Sequence, residues 1–283
     1  MRRRNLYSLI LFLFMITNTD AQHLTVISYN IRLDVASDSM NRWDMRKDFL
    51  IGQLNFHEPD VFGIQEGLLH QLQEIQKGMP GYNYIGKGRD DGLKQGEFSA
   101  VFYNTEKLDL VEENTFWLSE TPEQPSKGWD AAIKRVCTYG LFKTKNTGQH
   151  FWVFNTHFDH RGEEARKESI FLIIEKMRQI NKQNLPVILT GDLNLEPHHP
   201  SILLLASTMQ DAHTVAGEQA FGPSGTYNGF VHSKPATRRI DYIFLSQTGF
   251  QLLKYGILSD AIDLRYPSDH FPVLAKLSFI EKE

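Results

Sequence analysis

The stretch LPVILTGDLNLEP, Leu185 to Pro197, places polar residues where its own pattern should exclude them. Pro186 to Leu189 reads as a strand buried on both faces, apolar without alternation. Asp192 and Asn194 then follow at the rim of that core. The pattern recurs along the chain. VISYNIR puts Asn30 at a strand end, VFGIQEG puts Gln65 and Glu66 there, and FWVFNTHFDH supplies Asn155, His157 and Asp159 on one parity. RRIDYIFLS holds Asp241 inside an otherwise apolar run, and YPSDHFPVLAKL sets Asp269 and His270 before another. One such Asp or Asn is ordinarily a cap or turn residue. Glu66 and Asp241 fit that explanation poorly, because neither flank resembles a turn and an unpaired buried charge is costly. Six tips of one style, with no Ser or Cys nucleophile among them, describe a site. Carboxylates and amide oxygens suit a hard divalent cation, Mg²⁺ or Mn²⁺. Two histidines beside carboxylates suit proton transfer and stabilisation of a developing anion. The combination fits water attacking phosphorus.

The elements that must carry these tips are legible as hydrophobic periodicity. Strand-like runs recur at 24–29, 61–64, 99–103, 151–155, 186–189, 240–245 and 273–277. Helical spacing is predicted over 45–56, with Phe49, Leu50, Ile51, Leu54 and Phe56 apolar, over 68–75, and most clearly over 163–180. GKGRDDGLKQGE, SETPEQPSKGWD and GEQAFGPSGTYNG mark loops. Strands mixed with helices, and a hairpin-like succession at 99–119, predict an α/β protein of two sheets packed face to face with helices outside. The halves 24–150 and 151–283 both run strand, polar tip, helix, strand.

Met1-Arg-Arg-Arg4, an apolar run from Leu6 to Ile16 and the small exit residues Thr19 and Ala21 describe a secretory signal peptide cleaved near Ala21, leaving one domain over 22–283. The run is shorter than the roughly 20 residues of a membrane span, so no stable membrane insertion is expected. The expected product is secreted, to the periplasm or the medium, and monomeric. Cys137 is the only cysteine, which excludes an intramolecular disulfide and marks a buried small side chain. The formal net charge is −4, and losing Arg2, Arg3, Arg4 and Asp20 makes it more acidic. Such a surface is a poor trap for polyphosphate chains, so action on nucleic acid needs a cation or local contacts.

SYNIR, QE, THFD, GDLN, IDYIF and SDHFPV, in this order, resemble the endonuclease/exonuclease/phosphatase superfamily, in the secreted bacterial branch similar to the nocturnin-type deadenylases. The resemblance covers essentially the whole mature chain. It implies a four-layer α/β/β/α sandwich with two central mixed β-sheets, of the deoxyribonuclease I type. It also implies roles. Asn30 and Glu66 resemble the metal side, with Glu66 the principal Mg²⁺ ligand, and Asp241 an acidic position in the metal or phosphate shell. Asp192 resembles the carboxylate that orients or deprotonates water, and Asn194 its phosphate-holding neighbour. Asp269 and His270 resemble a dyad in which the carboxylate orients the imidazole. His157 resembles the histidine near the leaving oxygen, with Glu97 of GEFSAVFYN as its hydrogen-bond partner.

Arg46, Arg135 and Arg166 are further candidates for phosphate contacts, although Asp44 as an N-cap over Trp43 is the preferred account of RWDMRK. The favoured function is a divalent-metal-dependent phosphodiesterase acting on DNA or RNA. A sphingomyelinase- or phosphatase-type phosphoesterase is the alternative within the chemistry. A catalytically silent scaffold is the alternative outside it.

Overall fold

Period two decides how the layers form. Along β1 (His23–Asn30), Leu24 and Val26 face one way and Ile27 and Tyr29 the other, and both faces are buried. The computed structural model describes residues 23–280; the expected leader and its cleavage point lie outside the described residues. Eleven further strands follow among them: β2 (Val61–Gly67), β3 (Tyr82–Ile85), β4 (Phe98–Asn104), β5 (Leu108–Trp117), β6 (Val136–Thr144), β7 (His150–His157), β8 (Val187–Asp192), β9 (Met209–Asp211), β10 (Asp241–Ser246), β11 (Phe250–Ile257) and β12 (Val273–Phe279). The α-helices are α1 (Trp43–His57), α2 (Leu69–Gly78), α3 (Glu163–Ile180), α4 (Pro200–Thr208) and α5 (Ala212–Ala216).

Two six-stranded sheets result, in the orders β11-β12-β1-β2-β4-β3 and β5-β6-β7-β8-β10-β9. Each has one parallel pair near its centre, β1 with β2 and β7 with β8, and is antiparallel elsewhere. The parallel pairs are joined by crossovers carrying α1 and α3, as parallel pairing requires. The succession 99–119 is not a hairpin. β4 pairs with β2 and β3, whereas β5 starts the second sheet against β6. Burial of two faces per strand explains the switch, since each sheet needs a partner sheet on one side.

Three apolar clusters define four layers. Trp43, Leu50, Leu54, Leu72 and Ile75 pack on Ile27, Phe62 and Ile64 of the first sheet. Ile170, Ile173, Ile202 and Leu205 pack on Trp152, Phe154, Leu189 and Phe244 of the second. Between the sheets lie Leu24, Val26, Val61, Val101, Phe151, Val153, Ile188 and Ile243. Phe56, expected on the buried face of α1, is 83% exposed because it lies on the opposite side from Leu50 and Leu54. Asp44 is not the N-cap of α1; Arg42 holds that position, and Asp44 pairs with Lys47 in the first turn.

The inter-sheet face changes character along its length. Stepping by two, Val26 gives way to Ser28 and Asn30, Val153 to Asn155 and His157, Ile188 to Thr190 and Asp192, and Ile243 back to Asp241. All seven polar residues of these rows are buried. The strands that build the middle core therefore end, on the same pleat face, in the side chains of a site.

Candidate active site

Register brings the tips together. His157 pairs with Asp192 across β7 and β8, Asp241 with Asp192 across β10 and β8, and Asn30 with Gln65 across β1 and β2. Asn30 then bridges the two sheets, its Nδ2 donating to Asp192 Oδ2 at 3.0 Å and to Glu66 Oε1 at 3.1 Å. Glu66 sits where the β2–β4 register slips, with φ of 64°, so its carboxylate leaves the strand plane and enters the pocket. Asn194 also has positive φ, 50°, and its backbone N–H donates to Asp192 Oδ1 at 2.9 Å. The pocket so formed has a volume of about 470 Å³ and is lined by Glu66, Glu97, Arg135, His157, Asp192, Asn194, Asp269 and His270.

Two expected pairings are replaced. The partner of His270 is Asp241, whose Oδ2 lies 2.8 Å from Nδ1, and not Asp269. Asp269 adjoins His270 in sequence, but its carboxylate turns to Arg32, 3.9 Å from Nε. Glu97 does not hydrogen-bond His157. It is gripped by both terminal nitrogens of Arg89, at 2.6 and 2.7 Å, a residue from the loop GKGRDDGLKQGE. His157 Nε2 meets Asn194 Nδ2 at 3.1 Å and its Nδ1 has no hydrogen-bond partner.

These contacts set the charges. Burial opposes a charged His270, but Asp241, by charge and hydrogen bond, and then Asp192 and Asp269 hold it well above the ordinary histidine value. Burial, reinforced by Arg135 and Arg89, pushes His157 well below it, which favours the neutral imidazole. Burial first, then the neighbouring charge of Asp241, raises the Asp192 carboxyl. Burial also raises Asp269 and Glu97.

The candidate arginines separate. Arg135 lines the pocket. Arg46 is buried and donates to the carbonyls of Asn41, Ile31, Arg32 and Pro267, which ties α1 to the backbone beneath the site, and it is not among the pocket residues. Arg166 donates to Asp159 O at 3.2 Å and is not among the pocket residues. Sequence reasoning missed Arg32, His160, Tyr227 and Arg238 in the lining. Arg32 was within reach, two residues past Asn30 on the same tip. Tyr227 and Arg238 sit in loop sequence with no periodicity to mark them.

A divalent cation fits the donor set. Glu66 and Asp269 both approach the Arg32 guanidinium, each at 3.9 Å and neither in hydrogen-bond range, and the charge of Glu66 contributes to raising Asp269. Arg32 itself is held by Asp38, at 2.8 Å from both Nε and Nη2, so Glu66 and Asp269 present oxygen donors to no hydrogen-bonded cation, a donor set that suits Mg²⁺ or Mn²⁺. Asp192, Asp241 and His270 also present ligand atoms within 4.8 Å of one another, and Asp241 Oδ1 lacks a hydrogen-bond partner. The His270 Nδ1–Asp241 bond already occupies part of that group.

Comparison with known proteins follows the geometry. Residues 27–270 match the Endonuclease/Exonuclease/phosphatase family. The chain belongs to that family. Among solved structures, a Bacteroides thetaiotaomicron endonuclease/exonuclease/phosphatase family protein is 43% identical, with a TM-score of 0.87, over 92% of this chain and 99% of that one. A mannosyl-6-phosphatase from Bacteroides thetaiotaomicron VPI-5482 is 44% identical, with a TM-score of 0.86, over 91% and 100%. The human nocturnin catalytic domain, 20% identical with a TM-score of 0.73 over 91% and 94%, shares the fold. Curated relatives include an uncharacterized Acanthamoeba polyphaga mimivirus protein, 33% identical over 56% of this chain and 61% of its own. They also include a CCR4-Not complex 3'-5'-exoribonuclease subunit Ccr4 of Coccidioides immitis, 21% identical over 85% and 40%. The chain thus spans less than two thirds of these curated relatives' lengths. The family is hydrolytic toward phosphoesters and uses divalent metals, and the two mixed sheets between helices are its deoxyribonuclease I-like sandwich.

Proposed function

We propose that this family member is an exported, divalent-cation-dependent phosphatase of small phosphomonoesters, with phosphorylated sugars as its substrate class. The observation that carries the chemistry is the convergence of Asn30, Glu66, Asp192, Asn194, Asp269 and the Asp241–His270 pair on one pocket. The substrate class is supported by the 44% identity, along the whole of its length, to a mannosyl-6-phosphatase. Two further features agree with it: the formal charge of −4, unfavourable for a polyanion, and a pocket volume of about 470 Å³, in the range of small-molecule sites.

Each side chain then has a task. Asp192, its carboxyl raised by burial and fixed by Asn194 N–H and Asn30, accepts the proton of the attacking water. His270, held cationic by Asp241, stabilises charge on the phosphoryl group. The Asn194 amide and neutral His157 position phosphoryl oxygens by hydrogen bonds. A divalent cation held by Glu66 and Asp269, with Asn30 alongside, supplies neutralisation of the phosphoryl oxygens when bound.

The nuclease reading is kept as the second one, because curated relatives such as Ccr4 are named as exoribonucleases. One panel separates the readings: mannose 6-phosphate, glucose 6-phosphate, bis-p-nitrophenyl phosphate, single- and double-stranded DNA, RNA and sphingomyelin, each with Mg²⁺ or Mn²⁺ and with EDTA. EDTA-sensitive release of phosphate from the sugar phosphates is expected to be fastest. Faster cleavage of a polynucleotide replaces the phosphatase with a nuclease, and hydrolysis of none of them leaves a silent scaffold. Export is checked by N-terminal sequencing of the protein recovered outside the cytoplasm, which should begin at Gln22.

A further inference from the structure

We infer that Arg135 is the specificity-determining residue that selects a phosphomonoester dianion over a diester, an inference that rests on the phosphatase reading above. Arg135 immediately precedes β6, is only 5% exposed, and lines the pocket beside His157. No carboxylate hydrogen-bonds its guanidinium, although two lie within 4.0 Å. Glu97 is committed to Arg89 by two short contacts and stands 4.0 Å from Arg135 Nη1. Asp159 Oδ2 stands 3.7 Å from Nε and accepts from the backbone N–H of Ile133 at 3.3 Å, while its Oδ1 takes those of Arg161 and Gly162. Nε itself has no hydrogen-bond partner, and the contact the guanidinium does make is Nη2 to His160 Nδ1 at 3.2 Å.

A buried cation left this loosely paired is costly, and the cost is recovered when an anion arrives. A diester offers two non-bridging oxygens that share one charge. A monoester dianion offers three that share two. One end of the site, Glu66 and Asp269, is carboxylate and suits the cation-bound oxygen. The extra anionic oxygen needs a positive partner away from those carboxylates, and none of the pocket carboxylates approaches Arg135 closer than Glu97 does. The planar fork of a guanidinium matches two phosphate oxygens at once, which a lysine cannot reproduce. Burial and then this same charge disfavour a protonated His157, which can add a hydrogen bond there.

The test compares wild type, Arg135→Gln and Arg135→Lys, with Mg²⁺ throughout. It reads kcat/KM on mannose 6-phosphate and on bis-p-nitrophenyl phosphate, together with the Kd of inorganic phosphate by calorimetry. In Arg135→Gln, monoester kcat/KM is expected to fall by about 10²-fold or more, the usual scale for losing one oxyanion donor. Diester kcat/KM should fall by about tenfold at most, and phosphate should bind correspondingly more weakly. Arg135→Lys keeps the buried charge, and so the fold, and should show the same change of ratio in smaller measure. If Arg135→Gln melts well below wild type, the Lys variant decides. Equal losses on both substrates in folded variants, or an unchanged ratio, overturn the role of Arg135 while leaving the phosphatase reading intact. A wild-type enzyme that cleaves the diester but no monoester overturns the phosphatase reading and this inference with it.

Discussion

Asp241 and Asp269 are alike in type, and both lie at the end of an apolar run, yet they serve different partners. Asp241 bonds the His270 ring at 2.8 Å, while Asp269 faces Glu66 around Arg32. Asp241→Asn should therefore lower kcat by about 10²–10⁴, the range for a proton-transfer group or its orienting carboxylate, with little change in the Mg²⁺ concentration required. Asp269→Asn should instead raise that concentration. Activity measured against Mg²⁺ in the two variants checks this, and an exchange of the two phenotypes would exchange the assignments. At this scale the chemistry was written in the sequence and the pairings were not. Residue type and position on a strand tip brought Asn30, Glu66, Asp192, Asn194, Asp269 and His270 to attention. Who bonds whom depended on rotamers and on Arg89, which approaches Glu97 from a loop eight residues earlier in sequence.

At the scale of elements, Asp159 shows how a loop end becomes a fixed support. It follows β7, and its Oδ1 accepts the N–H groups of Arg161 and Gly162 at 2.9 and 2.8 Å, just before α3 begins. Burial alone would raise its carboxyl, but these N–H groups and the Arg135 charge outweigh burial and hold it at about 2. A carboxyl lowered in the folded state contributes stability that is present above its unfolded value, near 4, and is lost as pH falls towards about 2. Asp159→Ala should cost about 1–2 kcal/mol at pH 7, as for loss of a helix-capping oxygen. It should also lose stability less steeply than wild type between about pH 4 and pH 2. Thermal melts across that interval check both, and parallel pH curves would contradict the role. The elements most legible in sequence were those buried by regular periodicity: α3 spans 163–180, the stretch its helical spacing marks. Edge strands were not. β5 and β11 carry exposed stretches and register slips, Leu110 to Glu112 and Leu252 to Lys254, which break the period-two pattern. α4 reads SILLLAST, too uniformly apolar for a stripe to show.

Across the whole molecule, the two sheets are joined by polar groups as well as apolar ones. Asn155, buried in β7, donates to Ile64 O and Ala100 O in the opposite sheet, both at 2.8 Å, and accepts from Gln65 and Thr190. Gly63 leaves room for this junction, since a Cβ there would lie 2.3 Å from Thr190 Oγ1 and 2.4 Å from Asn155 Oδ1. Asn155→Ala and Gly63→Ala should each cost about 3 kcal/mol, through unsatisfied buried groups in one and overpacking in the other. Denaturant unfolding measures this, and a loss under about 1 kcal/mol in both would show that the sheets do not depend on the junction. The order of the motifs implied the layered sandwich, but not that β5 and β6 leave the first sheet while β11 and β12 return to it. Such pairings join residues far apart in the chain and leave no local trace. The whole arrangement predicts where charge meets substrate. The most direct measurement is a crystal structure of the protein soaked with Mn²⁺ and inorganic phosphate, with the metal located by anomalous scattering. The account predicts the ion on Glu66 and Asp269, and the phosphate in contact with Asn194 and His270. An ion bound away from Glu66 and Asp269, or a phosphate outside the pocket, would contradict it.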